Sequence, residues 1–185
     1  MYGLSLPVQQ AARIIREGGV VAYPTEGVFG LGCLPDDEDA VLRILDIKKR
    51  SPSPGLVLIA ADSRQLDPFI RMPLGGVPVS DLERPVTWIV AAGRDVPPWI
   101  RGRRPGVAVR VTAHPVARAL CDAAGSALVS TSANVSGRKP SRNAYVLRRE
   151  FGHLVDCIVP GPCGPARGPS EIRDLASGRV LRPAG

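Results

Sequence analysis

The chain has 185 residues, 44% of them hydrophobic, enough to close one core and bury about two-thirds of the unfolded surface, so a single domain spanning residues 1–185 is expected. No run approaches the roughly 18 apolar residues of a membrane span, and no basic segment leads into a long apolar one at the N-terminus, which argues against a membrane protein and places the chain in the cytoplasm. A net charge of +7 suits phosphate or nucleic-acid partners, but 21 arginines against 3 lysines, with 20 Gly and 19 Pro, equally fit a bias of the whole chain.

Val8, Ala11, Ala12 and Ile15 recur at helical spacing behind Pro7, and Gly18-Gly19 end that first helix. Val20-Val21-Ala22-Tyr23 follows as a buried strand closed by Pro24. From Thr25 to Cys33, small and apolar residues alternate, and Gly27, Gly30 and Gly32 would let backbone approach a ligand closely. Residues 39–49 form a second amphipathic helix whose basic end, Lys48-Lys49-Arg50, offsets the helix dipole. Residues 56–60 read as a buried strand, 63–70 as a brief helix and 72–78 as a surface loop. Strands at 86–90 and 107–111 flank a Pro/Arg-rich loop, whose Arg101, Arg103 and Arg104 read equally as ligand-facing or as solvated. A helix at 114–123, a strand at 127–130 and a helix at 143–150 follow, and the tail from 155 carries Ile158-Val159, a Gly/Pro loop, and the segments 171–175 and 180–182. Strands and helices interleave throughout, which predicts an α/β fold.

The usual phosphate-binding signatures, G-x-x-x-x-G-K-[ST] and G-x-G-x-x-G between a strand and a helix, are absent. Two other groupings carry more chemistry. Lys48 and Arg50 set a point charge and a planar fork two residues apart, suited to a triphosphate or to a solvated helix end. Ser130-Thr131-Ser132-Ala133-Asn134 brings three hydroxyls and an amide beside a buried strand, as donors to phosphate or carboxylate oxygens or as a capping turn. His114 and His153 lack partners at metal or triad spacing, so structural roles are expected. Cys33, Cys121, Cys157 and Cys163 form no C-x-x-C pair and read as reduced thiols. The residues by themselves lead to an α/β protein with an oxyanion-binding pocket.

The same segments resemble the YrdC/TsaC family. Tyr23-Pro24-Thr25-Glu26 with Phe29-Gly30-Leu31-Gly32 is similar to its Y-P-T-E-T-x-Y-G-L-G, and Lys48-Lys49-Arg50 to its K-x-R. Ser130-Thr131-Ser132-Ala133-Asn134-Val135-Ser136-Gly137 is similar to S-T-S-A-N-x-S-G, and Pro169-Ser170-Glu171-Ile172-Arg173-Asp174 with Leu181-Arg182-Pro183 to P-S-T-I-x-D and L-R-P-G. The resemblance implies a YrdC-like single domain: an open, twisted mixed sheet flanked by helices around a large basic cavity. It also implies an activity. The amine of L-threonine captures bicarbonate or CO2 as a carbamate, which attacks the α-phosphorus of ATP and expels pyrophosphate, and the threonylcarbamoyl-AMP formed is passed to the t6A transferase machinery acting on tRNA.

By the same resemblance, Thr25, Arg110, Ser130 and Ser170 hold threonine, while Lys48, Arg50, Ser132, Asn134 and Arg182 hold ATP. Lys48 and Arg50 are then the catalytic cations, offsetting charge on the separating phosphates. Mg2+ is expected to arrive with ATP, although no carboxylate suggests itself as its ligand. The chain departs from the family pattern at Gly27, Phe29, Pro54 and Leu82-Glu83-Arg84-Pro85, and the change at Phe29 removes a hydroxyl expected in the pocket. The competing function is an RNA-binding module that uses the basic cavity, opposed by the presence of only eight aromatic residues for base stacking.

Overall fold

Each element forms where periodicity and end signals agree. In the computed structural model, which describes residues 5–73 and 75–185, α1 (Leu6–Arg16) buries Val8, Ala11, Ala12 and Ile15 as one stripe, with Pro7 in its first turn. The loop expected at 72–78 includes Leu74, which lies outside the described residues. Helix α2 (Glu38–Lys48) is capped by Asp37, whose side chain accepts from the Ala40 N–H at 2.9 Å, and it ends on Lys49 in the left-handed region at φ 49°. Helices α3 (Pro98–Arg101), α4 (Pro115–Ala124) and α5 (Ala144–Phe151) follow, the last capped by Asn143.

The strands are β1 (Val21–Pro24), β2 (Phe29–Gly32), β3 (Val57–Ala60), β4 (Val86–Ala91), β5 (Gly106–Val111), β6 (Leu128–Ser132), β7 (Cys157–Ile158), β8 (Glu171–Asp174) and β9 (Val180–Arg182). They form one mixed nine-stranded sheet in the order β7-β1-β2-β6-β3-β5-β4-β8-β9. Pairs β1–β7, β3–β5 and β4–β8 are parallel and the remainder antiparallel. Side-chain alternation divides the core. Ala22, Leu31, Leu58, Val109 and Val129 pack with α2, α3 and α5 on one face, whereas Val21, Tyr23, Ile59 and Leu128 pack with α1 and α4 on the other. Each fully buried side chain such as Ile15, Ile44 or Leu58 contributes about 1.5–3 kcal/mol by leaving water.

Two local expectations change. Residues 25–33 hold strand β2, hairpinned to β1 with Pro24 paired to Phe29; alternation with glycine hid it, because a glycine-rich run scores poorly as strand until neighbours on both sides supply the ladder. The helix expected at 63–70 is one 3-10 turn, Ser63–Leu66, held by the Asp62 side chain accepting from the Arg64 N–H. Among the described residues, no helix is long and apolar enough to cross a membrane.

Candidate active site

The cleft exists because the central strands carry small side chains on one face. Ser130, Val57 and Ala108 stand in register across β6, β3 and β5, and Ser132 lies opposite Gly30 of β2. Strand β6 runs through Ser132, beyond the 130 expected, so Ser130 and Ser132 are two apart on one strand and share the cleft face. A Cβ added to Gly30 would lie 3.3 Å from both Ser130 Oγ and Thr25 Cγ2, so this glycine preserves the floor. Phe29 is fully buried beside Leu31 and Val129 and also borders the cleft. The departure at position 29 therefore sets a residue without a side-chain hydroxyl where core and cleft meet.

Among the described residues, four arginines line this floor, Arg50, Arg104, Arg110 and Arg182, and no Asp or Glu lines the cleft with them. Arg50 is lowered from the usual arginine range by burial, then by the charges of Arg104 and Arg182. Arg182 is lowered by burial and by Arg104 and Arg110. These cations repel one another across the cleft, and an anion placed among them would relieve that repulsion. Of the basic loop left open between two readings, all three arginines are exposed, but only Arg104 lines the cleft.

Lys48 and Asn134 do not line the cleft. The Lys48 ammonium is buried behind β6, where it donates to Ser132 O at 2.5 Å, Asn134 O at 2.9 Å and Asn134 Oδ1 at 3.2 Å. Asn134 Oδ1 also accepts from Ser132 Oγ at 2.5 Å, and its amide nitrogen donates to Val135 O and Arg138 O. Burial, with a smaller push from Arg50, lowers Lys48 to about 8. The left-handed turn at Lys49 separates the two cations: Lys48 reaches behind the serine run, and Arg50 faces the cleft while donating to Gly55 O at 2.9 Å.

Thr25, Arg110, Ser130 and Ser170 all line the cleft. Thr25 Oγ1 donates to Val28 O at 2.7 Å, Ser170 Oγ lies 2.7 Å from Thr87 Oγ1, and Arg182 Nη2 donates to Ser170 O at 2.7 Å. Arg110 is buried and its Nη2 lies 3.3 Å from Glu26 Oε2. Glu26 stands in the Y-P-T-E run, yet sequence reasoning gave it no role, because nothing local signals a carboxylate that reaches over to β5. Arg104 was likewise one of three indistinguishable arginines.

The resemblance implies a large cavity, whereas the enclosed space is about 190 Å³, below the roughly 300–1,000 Å³ of ordinary small-molecule sites. A strap, residues 164–170, is laid over the turn after β1, and its Gly168, Pro169 and Ser170 line the cleft. Gly164 N–H donates to Thr25 O at 2.9 Å, Ala166 N–H to Glu26 O at 3.1 Å, and Arg142 ties the strap through Gly164 O and Ala166 O. A side chain at Gly27 would collide with the Gly168 carbonyl, which accounts for glycine at this departure from the family pattern. Among the described residues, no group of three His, Cys, Asp or Glu side chains could hold a metal ion. The four cysteines are free.

These features define an α/β protein with a cleft lined by arginines and strand hydroxyls. The chain belongs to the Sua5/YciO/YrdC family, whose model, described as "Telomere recombination", matches residues 13–184. A protein of Nitrosococcus oceani named threonylcarbamoyl-AMP synthase is 55% identical over 179 residues, covering 95% of this chain and 96% of that one. One of the same name from Halorhodospira halophila is 50% identical over 179 residues, covering 95% and 93%. Among solved structures, P. abyssi Sua5 complexed with L-threonine superposes with a TM-score of 0.84 at 31% identity, over 96% of this chain and 54% of that longer one.

Proposed function

We propose that this chain is an L-threonylcarbamoyladenylate synthase, a nucleotidyltransferase that joins ATP, L-threonine and bicarbonate and releases pyrophosphate. The observation that carries the reading is the convergence of Arg50, Arg104, Arg110 and Arg182, without a lining carboxylate, on a floor of strand hydroxyls. A polyphosphate is the ligand that this charge suits, and the names of the full-length relatives and the threonine complex of the Sua5 structure supply the second substrate.

In this reading threonine lies against Thr25, Ser130 and Ser170 with its carboxylate on Arg110. The phosphates of ATP lie along Ser132, Arg50, Arg104 and Arg182, with Lys48 and Asn134 fixing the main chain behind Ser132. The small enclosed volume fits an amino acid and a phosphate tail, which leaves the nucleoside toward the open rim. The threonine amine takes up CO2 or bicarbonate as a carbamate, and a carbamate oxygen attacks the α-phosphorus in line with departing pyrophosphate. Positioning two reactants in this way supplies roughly 7–11 kcal/mol of the barrier, and preorganised cations lower the cost of the leaving charge, so the site asks for no strong base. Magnesium enters as the counter-ion of the ATP phosphates, with no carboxylate of the cleft to ligate it. The product, made in the cytoplasm, passes to the machinery that forms t6A on tRNA.

Among the described aromatic residues only Tyr145 is exposed, and a single ring weighs against the several stacked bases that the RNA-binding alternative needs. The purified protein is expected to release pyrophosphate only with ATP, threonine and bicarbonate together, and mass spectrometry is expected to detect threonylcarbamoyl-AMP. Equal release with serine, or with no amino acid, overturns the proposal.

A further inference from the structure

The cluster behind the amino-acid end of the cleft holds more polar chemistry than the proposed reaction uses. Glu26 is fully buried in the turn after β1, yet its carboxylate reaches the end of β5. Its Oε1 accepts from Thr112 Oγ1 at 2.5 Å and from the Ala113 N–H at 3.2 Å, and the His114 N–H donates in turn to Thr112 Oγ1 at 3.2 Å. The other oxygen, Oε2, has no hydrogen bond, and neither has Nε of Arg110. The two side chains meet at 3.3 Å, longer than the roughly 2.7–2.9 Å of a closed charge-assisted fork.

This geometry has a direction. Glu26 is fastened by Thr112 and Ala113 just past the end of β5, and Arg110 is held to Glu26 by charge without being consumed by it. Burial raises a carboxyl's pKa, but Arg110, Thr112 and Ala113 together hold Glu26 below the usual carboxylate range, so the counter-charge persists at neutral pH. Glu26 is absent from the cleft lining, whereas Arg110 is part of it. A buried guanidinium without such a tether would be free to swing toward the phosphates, where three other arginines already stand.

Resting on the synthase reading, we propose that Glu26 is a positioning residue for the amino-acid substrate: anchored by Thr112, it aims Arg110 at the carboxylate of threonine and keeps that arginine from serving the nucleotide. The two substrates then respond with opposite sign. Glu26→Gln keeps an oxygen for Thr112 and Ala113 but turns an amide N–H toward Arg110, which repels the guanidinium and leaves its charge unmatched. Threonine binding weakens, and ATP binding is unchanged or tighter.

The test is calorimetric binding of threonine, in the presence of a non-hydrolysable ATP analogue, to the wild type, Glu26→Gln, Thr112→Val, Arg110→Met and the Glu26→Gln/Arg110→Met double variant, each checked for folding by thermal melting. The expected result is a 10-fold or greater loss of threonine affinity in Glu26→Gln, a smaller loss in Thr112→Val, analogue affinity within 3-fold of wild type or tighter, and no further threonine loss when Glu26→Gln is added to Arg110→Met. Failure of the wild type to bind threonine sinks the synthase reading itself. A wild type that binds threonine beside a Glu26→Gln protein that binds it equally overturns the positioning role alone, as does a parallel loss of both ligands. Should Glu26→Gln fail to fold, Thr112→Val decides: wild-type threonine affinity in that variant overturns the role.

Discussion

Lys48→Met separates a cation that touches phosphate from one that holds the loop behind it. The substitution keeps the apolar stem and removes the ammonium from Ser132 O, Asn134 O and Asn134 Oδ1. Each hydrogen bond from a charged donor is worth about 1.5–3 kcal/mol. Against that gain stands the cost of burying the charge, and a fall from 10.5 to about 8 corresponds to about 3 kcal/mol at the full shift, less where water reaches the group. The three bonds together outweigh that cost, so a net stability loss of about 1.5–6 kcal/mol is expected, which a domain with a stability of about 10 kcal/mol survives. Activity suffers more. Ser132 and Asn134 lose their anchor beside the phosphate end, and turnover should fall 10-fold or more with a rise in KM for ATP larger than that for threonine.

The same residue sets a pH signature. Below about 8 both folded and unfolded chains carry the proton and the burial penalty is fully present; between about 8 and 10.5 the folded chain sheds the proton first, so the penalty is relieved as pH rises. Denaturant melts of wild type and Lys48→Met across that window should therefore show wild-type stability climbing relative to the variant. A Lys48→Met protein that keeps its KM for ATP, or a stability difference that is flat with pH, refutes the loop-anchor reasoning.

Arg104→Ala removes a charge that lowers the pKa of both Arg50 and Arg182, so the unliganded protein should melt no lower than wild type. The KM for ATP should nevertheless rise by 10-fold or more and lose part of its salt dependence, and a lowered melting temperature would contradict the repulsion argument. Gly27→Ala sets a methyl against the Gly168 carbonyl and should cost about 1–3 kcal/mol while loosening the strap, read as a lower melting temperature and faster proteolysis between 164 and 170. An unchanged melt would mean that the strap is not packed on the turn in solution.

The layered α/β fold was readable because hydrophobic periodicity reports local geometry. Val20 to Tyr23 is apolar on both faces and became a strand covered by helices on both sides, and α1 followed from four apolar positions and a proline. Strand β2 was missed because its evidence is not local: Phe29-Gly30-Leu31-Gly32 acquires its ladder from β1 on one edge and β6 on the other. Gly32 shows the reason for the glycine, since a Cβ there would lie 2.5 Å from Val129 O and 2.7 Å from the Tyr23 ring.

The site divides along the same line. Ser130, Ser132 and Arg50 could be singled out from the sequence because a hydroxyl run beside a strand and a cation after a helix are local patterns, and the family resemblance supplied their roles. What each side chain faces is set by segments far apart in the chain. Lys48 and Arg50 look like one phosphate clamp in the sequence, but a single left-handed residue between them turns one behind β6 and the other into the cleft. Arg104 is singled out from Arg101 and Arg103 only when β8 and β9 bring Arg182 into the same cleft. Glu26 acquires a partner only across the distance from the β1–β2 turn to β5. Reactive chemistry in this protein therefore rests on single side chains whose neighbours are chosen by topology. A substitution such as Thr112→Val, buried outside the cleft lining and silent in any motif, should disturb threonine binding more than the loss of the exposed Arg101 or Arg103.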